Sequence, residues 1–421
     1  MKRSVKKLVL VMALIFLSGC SRKADENVNI KADTAPIKEE PLFDANSDSD
    51  SVSDSDDEAA GDLNDISWEA EQYSGTDEIA MSIREQQEWE QKALKAAACY
   101  QRIYQSAKKS DDLNQTISEH DINKMVSALS EAGYCAVAKS CNMAHPEYVT
   151  EFCDKANRQE NASLEVYQVN DSGGLLAFFF CCTGNKITVT GASVSWNQKG
   201  SPVLTDMHKY GVDDYRLTEN GYFFYRLSIS DTMAISEENA FRIIAIDEEC
   251  QRLNEAYIKP VGYQGNNLFL TDWDERNMDS LSLNDLFEYL YPLSSDDFNQ
   301  EMPEKSYVDP ALFEQTMVAC LPLTVKQVRE RAVYEKNKGY QWERFYTPQL
   351  APVPEVRSYE RNEDGSITLL VHAVCLDYGT DLAFAHKVTL LETADGVRFL
   401  ANEIIPSEVH IMPEYTPRIS K

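Results

Sequence analysis

The chain has 421 residues, 43% of them apolar, and carries 69 acidic against 40 basic residues, a formal net charge of −29. A surface this acidic repels phosphate polymers and anionic headgroups, and no basic stripe interleaved with aromatics interrupts it, which excludes nucleic acid as a partner. The length is enough for two cores of ordinary size.

Residues 1–20 begin with Lys2, Arg3, Lys6 and Lys7, continue as an apolar run from Leu8 to Leu17, and end in Ser18-Gly19-Cys20. The run is too short to span a bilayer as a mature helix and has the layout of a secretory signal. Leu17-Ser18-Gly19-Cys20 resembles the lipobox of bacterial lipoproteins, which implies thioether lipidation of Cys20 and cleavage just before it. Cys20 is the expected lipid-attachment residue. Because each buried methylene contributes about 0.8 kcal/mol, two or three acyl chains hold a soluble protein on a membrane, here on the side facing away from the cytoplasm.

Residues 21–65 are rich in Asp, Ser, Glu and Ala and offer little to bury, so they are expected to form a disordered acidic linker. Without the four basic residues of the leader, 36 basic face 69 acidic residues, a net of −33. Nine cysteines follow Cys20. Two outcomes stay open for them: a disulfide, with Cys135 joined to Cys141 or Cys153 as the first pair to test, or free thiols packed as small hydrophobes.

From Glu78 to Lys109 the apolar residues recur at spacings near multiples of 3.6, which predicts one long amphipathic helix. Ser118 with Asp121 starts a second helix to about Leu129, and Pro146 opens a third to about Ala156. The period then changes. Leu164–Val169, Leu175–Cys182 and Lys186–Trp196 read as strands joined by hairpin turns at Asn170-Asp171-Ser172-Gly173 and Thr183-Gly184-Asn185. A strand pair around Tyr215–Leu217 and Tyr222–Ile229 follows, then a predicted helix from Ser236 through Asn254 and another near Leu283–Tyr291.

Two motifs in this stretch invite a catalytic reading. Asp171-Ser172-Gly173-Gly174 imitates a protease serine loop, but Ser172 sits at a turn tip, and neither upstream histidine, His120 or His145, stands in the context such a base needs. Cys181 and Cys182 are consecutive in a strand, so their side chains point to opposite faces and cannot easily grip one metal.

The polar run from Ser294 to Pro310 is the candidate boundary between a module over 66–300 and a second over 301–421. Beyond it, Asp309 with Pro310 and then Thr324 start two helices, running to about Cys320 and Tyr334. Four strands follow near Glu355–Tyr359, Ser366–Cys375, Ala383–Leu391 and Val397–Ile404. The segments LPLTVKQVRERAVYE, GYQWE, PEVRSYERNEDGSITLLVHAV and DLAFAHKVTLLE resemble the C-terminal part of uncharacterised lipoproteins of clostridia-like Gram-positive bacteria. The resemblance spans roughly 308–405 and implies an envelope protein with no assigned activity or functional residue.

A hairpin turn centred on Gly379 would set His372 directly across from His386, close enough to share a metal, although the apolar neighbours favour packed histidines. Tyr340, Trp342 and Phe345 either line the rim of a curved sheet or plug it. The expected fold is α+β, with helices packed on antiparallel meander sheets and a C-terminal module of cystatin-like or nuclear-transport-factor-like shape. No residue is assigned a catalytic, cofactor or metal role. The expected function is a lipid-anchored, non-enzymatic binding or interaction module of the envelope, partnered by the membrane and by a protein or small molecule. The alternatives are a solute-binding lipoprotein of a transporter and a hydrolase with an unrecognised site.

Overall fold

The first folded turns are set by Ser82, whose hydroxyl accepts the Glu85 N–H and starts helix α1 (Ile83–Cys99). A computed structural model describes residues 77–421 except 109–115, 140, 231–235, 295–305, 347–350, 395, 408–410 and 420–421. The expected signal, Cys20 and the linker lie outside the described residues, which pack as one compact unit from Asp77 onward.

The predicted long helix is two helices. α1 ends at Tyr100, whose backbone (φ −113°, ψ 11°) leaves the helical region, and α2 (Gln101–Ala107) restarts at once. Burial of the Tyr100 side chain, with its hydroxyl donating to the Gly173 carbonyl at 3.2 Å, fixes the break. α3 (Glu119–Glu131) starts on Ser118 as expected.

Strands β1 (Cys135–Ala138) and β2 (Cys141–Ala144), α4 (Glu147–Asn157), then β3 (Ala162–Val169), β4 (Leu175–Thr183) and β5 (Lys186–Trp196) follow. β6 (Pro202–Leu217), β7 (Tyr222–Leu227) and β8 (Glu238–Arg242) complete an eight-stranded sheet in the order β2-β1-β3-β4-β5-β6-β7-β8. Its pairings are antiparallel except β1 with β3, where α4 provides the crossover. The helix expected over Ser236–Asn254 is a correction: Glu238–Arg242 pairs with β7, and α5 (Glu248–Leu253) starts later on Asp247. Pairing with the aromatic strand YFFYRL outweighs the helix propensity of the segment.

One face of the sheet carries α1, α2 and α3. Ala93, Ala96 and Ala97 let α1 approach closely, Trp89 stacks on Phe179 at 4.5 Å, and Tyr104 on Trp196 at 4.3 Å.

The remaining chain builds a second core. α6 (Leu283–Leu290), a short strand β9 (Tyr307–Val308), α7 (Pro310–Cys320) and α8 (Val325–Arg331) precede two further short strands, β10 (Tyr334–Glu335) and β11 (Gly339–Gln341). Asp309 and Thr324 are the caps, the latter in a capping box with Gln327. β12 (Val353–Arg361), β13 (Ile367–Cys375), β14 (Thr380–Thr393) and β15 (Gly396–Ile405) form a four-stranded antiparallel meander. The fold is α+β. One continuous hydrophobic cluster runs from Ile246 through Leu293 and on to Phe399, so the chain before residue 300 shares its core with the C-terminal sheet. Tyr340 and Trp342 lie inside this cluster, as a plug does, with Tyr340 stacked on Phe313 at 4.3 Å.

Candidate functional site

Ser172 is turn chemistry: the Asn170 Oδ1 accepts from the Ser172 N–H, the Ser172 hydroxyl and the Gly174 N–H at 2.8–3.1 Å. Gly173 holds a φ of +76°, and a β-carbon there would meet the Tyr104 ring at 2.9 Å, so glycine is required. Its carbonyl also receives the Trp196 indole N–H at 2.7 Å. The loop ties the helices to the sheet.

All nine described cysteines are free thiols. Burial pushes Cys135 and Cys153 up to about 12, which keeps both protonated and inert at neutral pH. Cys182 is buried and Cys181 only half-buried, as alternation in one strand requires.

The histidine pair is a correction. His372 pairs with Ala385, and Val371 with His386, one residue away from the expected register. A 3-10 turn at Leu376–Tyr378 and an irregularity between Ala373 and Cys375 account for the slip, which puts the two imidazoles on opposite faces. Among the described residues no group of three or more His, Cys, Asp or Glu converges as a metal site would.

The feature that stands out was not visible in the sequence. Phe178 of β4 lies 5.1 Å from Phe241 of β8, ring to ring, and Phe180 lies 5.0 Å from Tyr225 of β7. In a flat sheet β4 and β8 would be about 19 Å apart, four spacings of ~4.8 Å. The sheet is therefore curled on itself into a nearly closed barrel. α4 fills one end of the interior, where Phe152 meets Phe180 at 5.9 Å and Phe223 at 6.5 Å.

Toward the other end the interior stays open as a cavity of about 680 Å³. Its wall is apolar where Leu176, Phe178, Val189, Leu227 and Phe241 face inward. Gly191, between Phe178 and His208 across the ladder, points into empty space. An isolated glycine within a strand marks a close approach or a missing side chain, and VTGASVSW is the one sequence signal that could have suggested a cavity.

Polar groups gather at the mouth. His208 is held through Nδ1 by Glu78 at 3.0 Å and through Nε2 by Asp206 at 2.8 Å. Both ring nitrogens face carboxylates, so neither is presented to a nucleophile as a general base requires. Ile79 N–H donates to the Lys209 carbonyl, which lays the start of the folded chain along β6 beside this rim. Tyr210, also lining the cavity, has its phenol pushed up to about 12 by burial and by Glu78 and Asp206, and it stays a hydrogen-bond donor.

The two ends of the curled sheet meet at one side chain. The Asn142 Nδ2 of β2 donates to the Ile246 carbonyl at 2.9 Å, and its Oδ1 accepts the Ile246 N–H at 3.0 Å. Arg242 and Gln251 donate to the same oxygen. One carboxamide thus does for Ile246 what a paired strand would. Asn142→Ala is expected to cost about 1–3 kcal/mol in urea unfolding, because it orphans the Ile246 N–H and leaves the Ile246 carbonyl to Gln251 alone, at 2.9 Å. No measurable loss would show that the seam is held elsewhere.

The cavity continues past the edge of β8 to the C-terminal sheet, where Glu355 accepts from Tyr222 at 2.8 Å, Arg242 at 3.2 Å and Arg357 at 2.6 Å. This paired, largely buried cluster fixes the C-terminal sheet against the barrel wall.

A family of unknown function (DUF6070) matches residues 86–418, a span that takes in nearly all of the described fold, including the barrel, the seam and the C-terminal sheet. The chain belongs to this family. No curated protein and no solved structure matches the chain. The family therefore supplies kinship without an activity, and the site must be read from its own geometry.

Proposed function

We infer that the protein is an extracytoplasmic, lipid-anchored binding protein that holds its ligand in the cavity of the curled sheet. The single observation that carries this is the cavity itself: about 680 Å³, walled by inward apolar side chains, with Gly191 leaving space that any other residue would fill. That volume falls in the range of ligand pockets, and an apolar wall with a few polar groups at the rim is their usual chemistry.

The anchor rests on the leader and on Cys20, with the acidic linker as the spacer between lipid and fold. The Gram-positive envelope is the setting the C-terminal resemblance implies. No described helix is long and apolar enough to cross a membrane, so the proposed attachment is through the lipid. The Glu355 cluster favours a preformed pocket over a receptor that closes two lobes around its ligand, as opening there would separate the largely buried Glu355 carboxylate from Arg242 and from the Tyr222 hydroxyl.

The test is ligand-dependent thermal stabilisation of the wild type and of Gly191→Phe, using short peptides, long-chain amines and fatty acids as probes. A ligand at about 100 times its Kd raises stability by about 2.7 kcal/mol, a clear rise in melting temperature. The expected result is a shift in the wild type that disappears in Gly191→Phe, whose ring occupies the cavity. A shift of equal size in both proteins would place the ligand elsewhere and overturn the reading.

A further inference from the structure

We propose that the ligand is an extended, basic peptide that binds by adding a strand to the free edge of β8. The proposal rests on the cavity being the ligand site and says which chemistry it takes.

β8 ends the sheet, and beyond it lies the cavity. The phase of its ladder is fixed at both ends: Ile243 N–H donates to the Gly221 carbonyl, and Leu227 N–H to the Glu237 carbonyl, each at 2.8 Å. Hydrogen-bonded pairs alternate along an antiparallel ladder, so the odd-numbered residues of β8 bond to β7 and the even-numbered ones turn outward. Glu238, Ala240 and Arg242 therefore aim their backbone groups at the gap, and all three line the cavity. The Glu238 carbonyl is taken by the Ser236 hydroxyl, which leaves the Glu238 N–H and the N–H and C=O groups of Ala240 and Arg242 for an incoming strand. Across the gap stand Ala138, Lys139 and Cys141 of the first hairpin. The sheet's two ends thus flank a slot, stitched at one point by Asn142. Glu238 to Arg242 spans about 13 Å at ~3.3 Å per residue, room for a peptide of about five residues.

The charge of the cavity wall gives the peptide its charge. Seven carboxylates line the cavity against Lys139, Arg242 and Lys259. The same charge argues against the protein's own acidic linker as the occupant, since like charge would repel it.

The experiment measures binding of three capped pentapeptides to the full chain in detergent by fluorescence anisotropy: Lys-Val-Lys-Val-Lys, its glutamate counterpart, and the lysine peptide N-methylated at alternate residues. Dodecylamine serves as a competitor that has the charge and no strand. Ala240→Pro removes the outward N–H at the centre of the edge while sparing the β7 ladder, where proline is tolerated. The expected result is binding of the lysine peptide, weakened at least about tenfold both by Ala240→Pro and by N-methylation, as loss of one or two backbone hydrogen bonds predicts, with little binding of the glutamate peptide. If Ala240→Pro fails to fold, the methylated peptide on the wild type decides alone. Binding that ignores both changes, or equal binding of the acidic peptide, overturns strand addition. If dodecylamine stabilises the wild type but not Gly191→Phe and no peptide binds, the peptide proposal falls while the cavity reading stands. If neither ligand binds, both fall.

Discussion

Replacing Asp285 by alanine is expected to cost the fold about 3–5 kcal/mol, a large part of the stability of an ordinary domain. Asp285 lies in α6 with no exposed surface, and its carboxylate receives the Tyr415 hydroxyl at 2.5 Å, the Arg418 N–H at 2.9 Å and the Arg418 Nε at 3.4 Å. Those donors belong to the C-terminal tail, which inserts Ile411, Met412 and Tyr415 against the second core. Removing the carboxylate leaves the mostly buried Arg418 guanidinium with Glu288, at 3.5 Å, as its remaining carboxylate. The tail should then release. Urea unfolding measures the loss, and limited proteolysis should cut the variant within 406–419 while the wild type resists. A loss below about 1 kcal/mol, the size of an exposed ion pair, would mean that apolar contacts alone hold the tail.

Acidification acts through His386 by about 3 kcal/mol. The imidazole is fully buried among Tyr263, Phe269 and Phe384, and burial pushes it down to about 4 from its ordinary 6.5. Its tautomer follows from the neighbours: the Asn402 Nδ2 donates to the Thr271 carbonyl at 2.8 Å, so the Asn402 Oδ1 accepts from His386 Nδ1–H at 2.7 Å. Nε2 is then the acceptor for the Tyr263 hydroxyl at 2.9 Å.

Because the folded value is depressed, the contribution is complete above pH 6.5, where neither state is protonated. It is lost as the pH falls toward 4, where the unfolded chain binds a proton that the folded one refuses. At about 1.4 kcal/mol per unit the loss comes to roughly 3 kcal/mol. Many carboxylates titrate over the same range, so the informative quantity is the difference between the wild type and His386→Gln in urea unfolding at pH 7 and pH 4. The variant should lose less stability on acidification, and equal losses in both proteins would rule out His386 as the cause.

The parts of the fold legible in the sequence were those whose signals are local. The hairpins from Leu164 to Trp196 and from Glu355 to Ile404 carry apolar runs and turn residues within a few positions of one another, and the structure places strands there. The caps at Ser118, Asp309 and Thr324 form their helix-starting bonds within three residues. β6 shows in the sequence only near Tyr215–Leu217, since the strand is half-buried along most of its length and has no clean alternation. β8 reads as helix in the sequence because what makes it a strand is Phe223 and Tyr225 on its neighbour.

The cavity was least legible of all. Phe178, Gly191, His208 and Phe241 are brought together by curvature, which depends on the twist and closure of the whole sheet and leaves no mark at any one position. The histidine pair differs for a related reason: the 3-10 turn and the irregularity near Cys375 together leave the pairs from Ala373 back to Ile367 one residue off the register that a turn centred on Gly379 implies.

The Asn142 seam also has a topological consequence. The hairpins that build the sheet close loops of a few residues, whereas Asn142 meets Ile246 across 104 positions of chain. Closing that loop in an otherwise open chain costs about 3 kcal/mol more entropy than closing a four-residue turn, which is as much as the side-chain bonds at the seam return. Once β3 to β8 have zipped, most of the intervening length is taken up and the cost shrinks. The seam is therefore favourable only as the last stitch. Until it forms, both ends of the sheet are bare edges, and the acidity of the chain is what keeps one molecule's edges from finding another's.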